Sequence, residues 1–178
     1  MKYALRKDMP IDDEMLKKIK NEQELINAKQ AAYNFVSYKP RTKKQITDKL
    51  KEKGFGEEAI ASSLDFLSEF SLYDDRRFAK MFIKDFLQKK PSGKPRLIQE
   101  LFKRGVPGSI IEEIIESFLP VKDNLSLARL VTEKKLRTTA YKSIEKQRSS
   151  LISYLQRQGF DWDTIKAILS EYFDNNKV

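Results

Sequence analysis

Three stretches decide the fold: LKEKGFGEEAI at residues 50–60, LFKRGVPGSII at 101–111 and LQRQGFDWDTI at 155–165. Each places leucine four residues before a glycine, a bulky apolar residue directly after it and isoleucine six after it. A helix that ends in a left-handed residue needs glycine there, because a Cβ would be strained, and the next residue can fold back onto the last turn. Gly54, Gly105 and Gly159 therefore read as helix stops, with Leu50–Phe55, Leu101–Val106 and Leu155–Phe160 spaced for the closing apolar contact. Recurrence at intervals of about fifty residues marks a repeat architecture.

Apolar periodicity extends the pattern in both directions. Ile46 and Leu50 recur as Leu97 and Leu101, then as Leu151 and Leu155, while Ile60, Leu64 and Leu67 correspond to Ile111, Ile115 and Phe118 and to Ile165, Leu169 and Tyr172. Spacings of three and four are the stripe of a helix with one buried face. Helices are predicted over 21–38, 42–53 and 57–70, over 74–88, 94–104 and 108–118, and over 123–137, 144–158 and 162–174. Ala28, Phe35 and Pro40 match Ala79, Phe86 and Pro91; the last copy keeps Ala128 and carries about five extra residues before its stop. The fold class is all-α, a tandem array of three three-helix, helix-turn-helix-like repeats, expected to form an elongated, curved molecule. The boundaries are a lead-in at 1–20, repeat 1 at 21–72, repeat 2 at 73–121 and a divergent repeat 3 at 122–178. One such unit has too small a core to be very stable alone, so neighbours should share apolar surface. In the lead-in, the sequence suggests an extended piece at Tyr3–Arg6, a turn at Pro10 and a helix capped near Asp12; Met1 need not be the native start.

Composition excludes several chemistries. The 178 residues are 40% hydrophobic, with eleven Phe and seven Tyr against six Gly and six Pro, which suits a packed chain. Cysteine and histidine are both missing from the sequence. Disulfides, thiolate or imidazole zinc sites, cysteine nucleophiles and histidine triads are thereby excluded. PSGKPRL at 91–97 has a lone Gly-Lys and lacks the spacing of a phosphate loop. No apolar run approaches the roughly 20 residues of a membrane span, and with no signal peptide in view a cytoplasmic monomer is the expectation.

The chain carries 35 basic and 26 acidic residues, a formal +9, which favours an anionic partner. The basic residues gather where the first helix of each repeat meets the second: Lys39, Arg41, Lys43 and Lys44; Lys89, Lys90, Lys94 and Arg96; Lys134, Lys135, Arg137, Lys142, Lys146 and Arg148. Such clusters suit a repetitive polyanion or a filament, although they also fit ordinary solvated helix faces. Phosphate contacts alone would give salt-sensitive binding with little sequence preference. The aromatic residues fall mostly at core-facing positions, Trp162 included, and offer no stacking platform. In LYDDRRFAKMF at 72–82, Asp74 or Asp75 reads as a helix cap; a metal-dependent nuclease would need further carboxylates converging from elsewhere.

RTKKQITDKLKEKGF, LYDDRRFAKMFIKD and SGKPRLIQELFKRGV, in that order, resemble the RecX family of bacterial recombination regulators, with its glycine stop in each unit, its Asp-Asp-x-x-Phe-Ala junction and its basic Gly-x-x-Arg-Leu segment. The resemblance covers about residues 25–173. It implies a non-enzymatic protein without cofactor or metal that binds the RecA recombinase along its filament on single-stranded DNA and restrains filament growth, ATP hydrolysis, strand exchange and co-protease activity. Single- and double-stranded DNA are further candidate partners. The competing reading is a general nucleic-acid-binding helical protein.

Overall fold

A computed structural model describes residues 12–118 and 121–174, the side chains of 121–123 excepted. The extended piece at Tyr3–Arg6 and the turn at Pro10 lie outside the described residues. The helix stops set the architecture. Gly54, Gly105 and Gly159 are all left-handed, with φ of 83°, 77° and 79°. At each, the apolar residue after the glycine donates its N–H to the leucine carbonyl, Phe55 to Leu50 at 3.2 Å, Val106 to Leu101 at 3.2 Å and Phe160 to Leu155 at 3.1 Å. The glycine N–H closes the inner ring at 2.9 Å in every case. This double bond is the Schellman ending, and it satisfies carbonyls that the terminating helix leaves open.

Among the described residues the elements are α1 (Asp13–Ser37), α2 (Lys43–Glu52), α3 (Glu57–Glu69), α4 (Asp75–Lys89), α5 (Lys94–Lys103), α6 (Gly108–Phe118), α7 (Val121–Thr139), α8 (Ile144–Arg157) and α9 (Trp162–Leu169), the last running into a π-helical turn, Ser170–Asp174. Helix starts follow from short polar side chains. Asp12 caps α1 through Met15 N–H, Asp161 caps α9 through Thr164 N–H, and Asp74, the first of the two adjacent acids, caps α4 through the N–H groups of Arg76 and Arg77. Thr42 and Gln45 form a reciprocal capping box at the start of α2. The cap expected near Asp12 is present, but its helix does not end before residue 21: α1 continues unbroken to Ser37. No glycine or proline interrupts residues 13–37, so nothing stops the helix at that point.

The extra length of the third copy is also located. Helices α2 and α5 have 10 residues each and α8 has 14. Most of the insertion is therefore one additional turn at the N-terminal end of α8. A fourth stop escaped the sequence pattern: Ser71, at φ 51°, ends α3, with Leu72 N–H on Leu67 O at 2.8 Å and Ser71 N–H on Ser68 O at 3.0 Å.

Packing divides the chain into two compact units, one reaching Tyr73 and one beginning at Asp74. In the first, Ala32, Ile46, Leu50, Ile60 and Leu67 form the core, and Glu24 of α1 accepts Gly56 N–H at 2.7 Å, fixing the α2–α3 turn to α1. In the second, α4–α6 enclose Ala79, Ile83, Leu97, Leu101 and Ile111, and α7–α9 enclose Ala128, Leu151, Leu155, Ile165 and Ile168. Leu127 packs against both cores, so these two three-helix sets share apolar surface. Phe78, Phe82 and Phe86 line up along α4 with centroids 6.0 and 5.3 Å apart, and the Arg104 guanidinium lies 4.1 Å over Phe82. Phe118, aligned with core residues of the other copies, is exposed.

A close backbone approach joins the two sets. The start of α5 abuts the stop after α8: Gly93 N–H donates to Gln158 O at 3.0 Å, and a Cβ on Gly93 would sit 1.9 Å from Gly159 O. Position 93 is the N-cap, occupied by Thr42 and Ser143 in the other copies. Glycine stands here because any side chain would collide with the neighbouring turn.

Candidate functional site

The recurrent basic junctions are the candidate site, and the structure sorts their residues into two kinds. In the first unit, Lys39 is exposed. Arg41 is half-buried with its guanidinium 4.1 Å over the Phe35 ring; burial pushes its pKa down, and its Nε is buried without a hydrogen-bond partner. Arg41 is thus part of the packing of this junction. Lys43 and Lys44 occupy the exposed first turn of α2, where Lys44 pairs with Asp48 at 2.5 Å.

In the second unit, Lys89 and Lys90 lie exposed at the end of α4. Lys94 and Arg96 are half-buried and turn toward the third domain. Arg96 Nη1 donates to Arg157 O at 3.2 Å and to the Gln158 side-chain carbonyl. Lys94 lines a hollow with Asn124, Asp161 and Thr164. Burial alone would raise the Asp161 carboxyl, but hydrogen bonds from the Thr164 N–H and hydroxyl, together with Lys94, hold it below the usual carboxylate range. Both residues therefore join α5 to the α8–α9 region, a role that the charge run in the sequence does not reveal.

Around the α7–α8 junction, Lys135 lies over Tyr154 with its ammonium 5.2 Å from the ring, and Arg148 points to Asp174 at 3.7 Å. Lys134, Arg137 and Lys146 are exposed, and Lys142 sits beside Tyr141. Among the described residues, Lys39, Lys89, Lys90, Lys134, Arg137, Lys142 and Lys146 have no acidic partner. Of the basic residues at the three junctions, these seven stand outside internal ion pairs.

The aromatic expectation needs correction. Tyr38 is 88% and Tyr141 82% exposed, each inside a basic junction, and Trp162 is 48% exposed with Lys166 5.9 Å from its ring centroid. The signal in the sequence was available: each tyrosine directly precedes a lysine, Lys39 or Lys142, and lies off the apolar stripe. Asp74 is occupied as a cap and Asp75 is the first residue of α4. Among the described residues no group of three or more acidic side chains is placed to hold a metal ion, and no helix is long and apolar enough to cross a membrane.

Three family models match in order: the first three-helix domain of RecX at residues 28–67, the second at 74–115 and the third at 122–169. The regulatory protein RecX of Clostridium perfringens (strain 13) is 32% identical over 98% of this chain and 82% of its own. The chain belongs to the RecX family. The fold agrees with solved RecX structures. A regulatory protein RecX crystal structure superposes with a TM-score of 0.79 at 22% identity over 98% of this chain and 83% of that one. RecX from Lactobacillus salivarius gives 0.75 at 23% identity over 84% and 97%. In family terms, α1–α3, α4–α6 and α7–α9 supply the three domains, and the close approach of Gly93 to Gly159 lies between the second and third.

Proposed function

We propose that this RecX family member is a non-enzymatic regulator that binds the RecA recombinase and its filament on single-stranded DNA, and that it mainly restrains ATP hydrolysis, strand exchange and co-protease activity. The observation that carries the reading is the match of all three RecX domains in order, in relatives named as regulatory proteins. Supporting it, each helix 1–helix 2 junction keeps exposed basic residues outside internal ion pairs, Lys39 in the first, Lys89 and Lys90 in the second, and Lys134, Arg137 and Lys146 in the third. A ligand biases a filament only by binding one of its states more tightly, and exposed positive anchors repeated in each domain are suited to that task.

The test is ATP turnover by RecA on single-stranded DNA as the chain is added. Turnover should fall, and reversing the charge of Lys89 and Lys90 should weaken the effect without loss of folding, since both are exposed. Turnover unchanged up to equimolar addition refutes the proposal. The second reading, a general nucleic-acid-binding helical protein, is favoured by the net charge of +9. It predicts direct DNA affinity with a steep salt dependence, and effects on RecA only when the DNA is coated.

A further inference from the structure

Helix α8, whose extra turn contributes Lys146, builds a surface feature of the third domain. Its exposed side carries serines at 149, 150 and 153, whose small side chains leave a hollow of about 690 Å³ with Lys142 and Lys146 on its rim and Tyr141 at its mouth. Three properties set it apart from the other basic surfaces. No acidic side chain lines it, whereas the hollow between α5 and the end of α8 contains Glu100, which pairs with Arg104 and Lys103. Its aromatic ring is 82% exposed, with Lys142 Nζ 5.6 Å from the ring centroid, so a flat face is presented to solvent within a positive field. Two of its hydroxyls are available: Ser150 and Ser153 have no internal partner among the described residues, while Ser149 donates to Lys146 O at 3.3 Å. A Tyr141 side chain left in water would be poorly used by packing alone, because it contributes to none of the three cores.

We infer that this hollow is a binding site for a segment of single-stranded nucleic acid. Tyr141 stacks on an unpaired base, Lys142 and Lys146 neutralise the flanking phosphates, and the Ser150 and Ser153 hydroxyls donate to phosphate oxygens. Single strands are selected over duplex because a base can reach the ring only when it is not paired in a stack. The inference rests on the second reading, direct nucleic-acid binding, and deepens it by naming the site and the single-stranded ligand; it requires no recombinase.

The experiment measures fluorescence anisotropy of a labelled oligothymidylate, and of a labelled duplex, against the full-length chain at low and moderate salt with no other protein present. Tyr141→Ala should weaken single-strand binding roughly tenfold, leave duplex binding within about twofold, and be restored by Tyr141→Phe, which keeps the ring. Lys146→Glu should weaken binding and flatten the salt dependence. Lys51→Glu, an equal charge change on α2, should have a much smaller effect. The inference is overturned if Tyr141→Ala binds the single strand as the parent does, if Lys51→Glu costs as much as Lys146→Glu, or if the parent shows no affinity at low salt. Those outcomes leave the RecA reading standing, and failure to restrain RecA turnover leaves this site standing.

Discussion

The joint between the second and third domains can be probed by adding one carbon at a time. Gly54→Ala places a Cβ at φ 83° with nothing within 4 Å, so only backbone strain opposes it, about 1 kcal/mol. Gly159→Ala suffers the same strain at φ 79°, and its Cβ would also lie 2.7 Å from Arg96 Cβ and 2.8 Å from Arg96 N. Backbone cannot swing aside as a side-chain tip does, so α5 must retreat from the turn. That movement breaks the Gly93–Gln158 and Arg96–Arg157 hydrogen bonds, each contributing about 1 kcal/mol. The expected cost of Gly159→Ala is therefore about 3 kcal/mol. Gly93→Ala separates the two effects. With φ at −76° it carries no left-handed strain, yet its Cβ would be 1.9 Å from Gly159 O, and it should cost about 2 kcal/mol. Urea unfolding followed by circular dichroism measures all three. A neutral Gly93→Ala, or a Gly159→Ala no worse than Gly54→Ala, would refute the close approach.

Further outcomes follow from other positions. Ser71→Gly should stabilise the chain by about 0.5–1 kcal/mol in the same unfolding assay, because Ser71 holds φ 51° at the stop of α3. Arg41→Ala should lower the melting temperature and Lys39→Ala should not, since Arg41 stacks on Phe35 whereas Lys39 is exposed. Glu100 is held low chiefly by its hydrogen bond from Arg104, Glu113 by that from Arg76, and Asp161 is lowered as described above. A depressed folded pKa contributes stability above the unfolded carboxylate value near 4, lost as pH falls through the lower folded values. Thermal melts should weaken progressively below about pH 4.5; with no histidine in the chain, they should stay nearly flat between about pH 5.5 and 8.

The repeat was legible because its signals are local. Left-handed glycines, the leucine four residues earlier and Asp74 ahead of α4 each act within one or two turns of helix, and the positions that they mark are observed as stops and caps. What sequence could not provide was the fate of individual charges. Arg41 and Arg96 look like Lys39 and Lys89 in a basic run, but one lies over a ring and the other reaches 61 and 62 residues along the chain to Arg157 and Gln158. Contacts of that range depend on how helices meet, which periodicity does not encode. Ser71 was missed for a different reason: a serine in a glycine's conformation leaves no mark in composition.

Gly93 carries one more implication. Thr42 starts its helix with its own hydroxyl, but α5 has no side chain for that purpose and instead sends the Gly93 N–H to a carbonyl of the following domain. The beginning of α5 is thus held by a foreign hand. A fragment ending before α7 should show fast amide exchange over the first turn of α5, and the intact chain should lose that turn only when α7–α9 come apart as well.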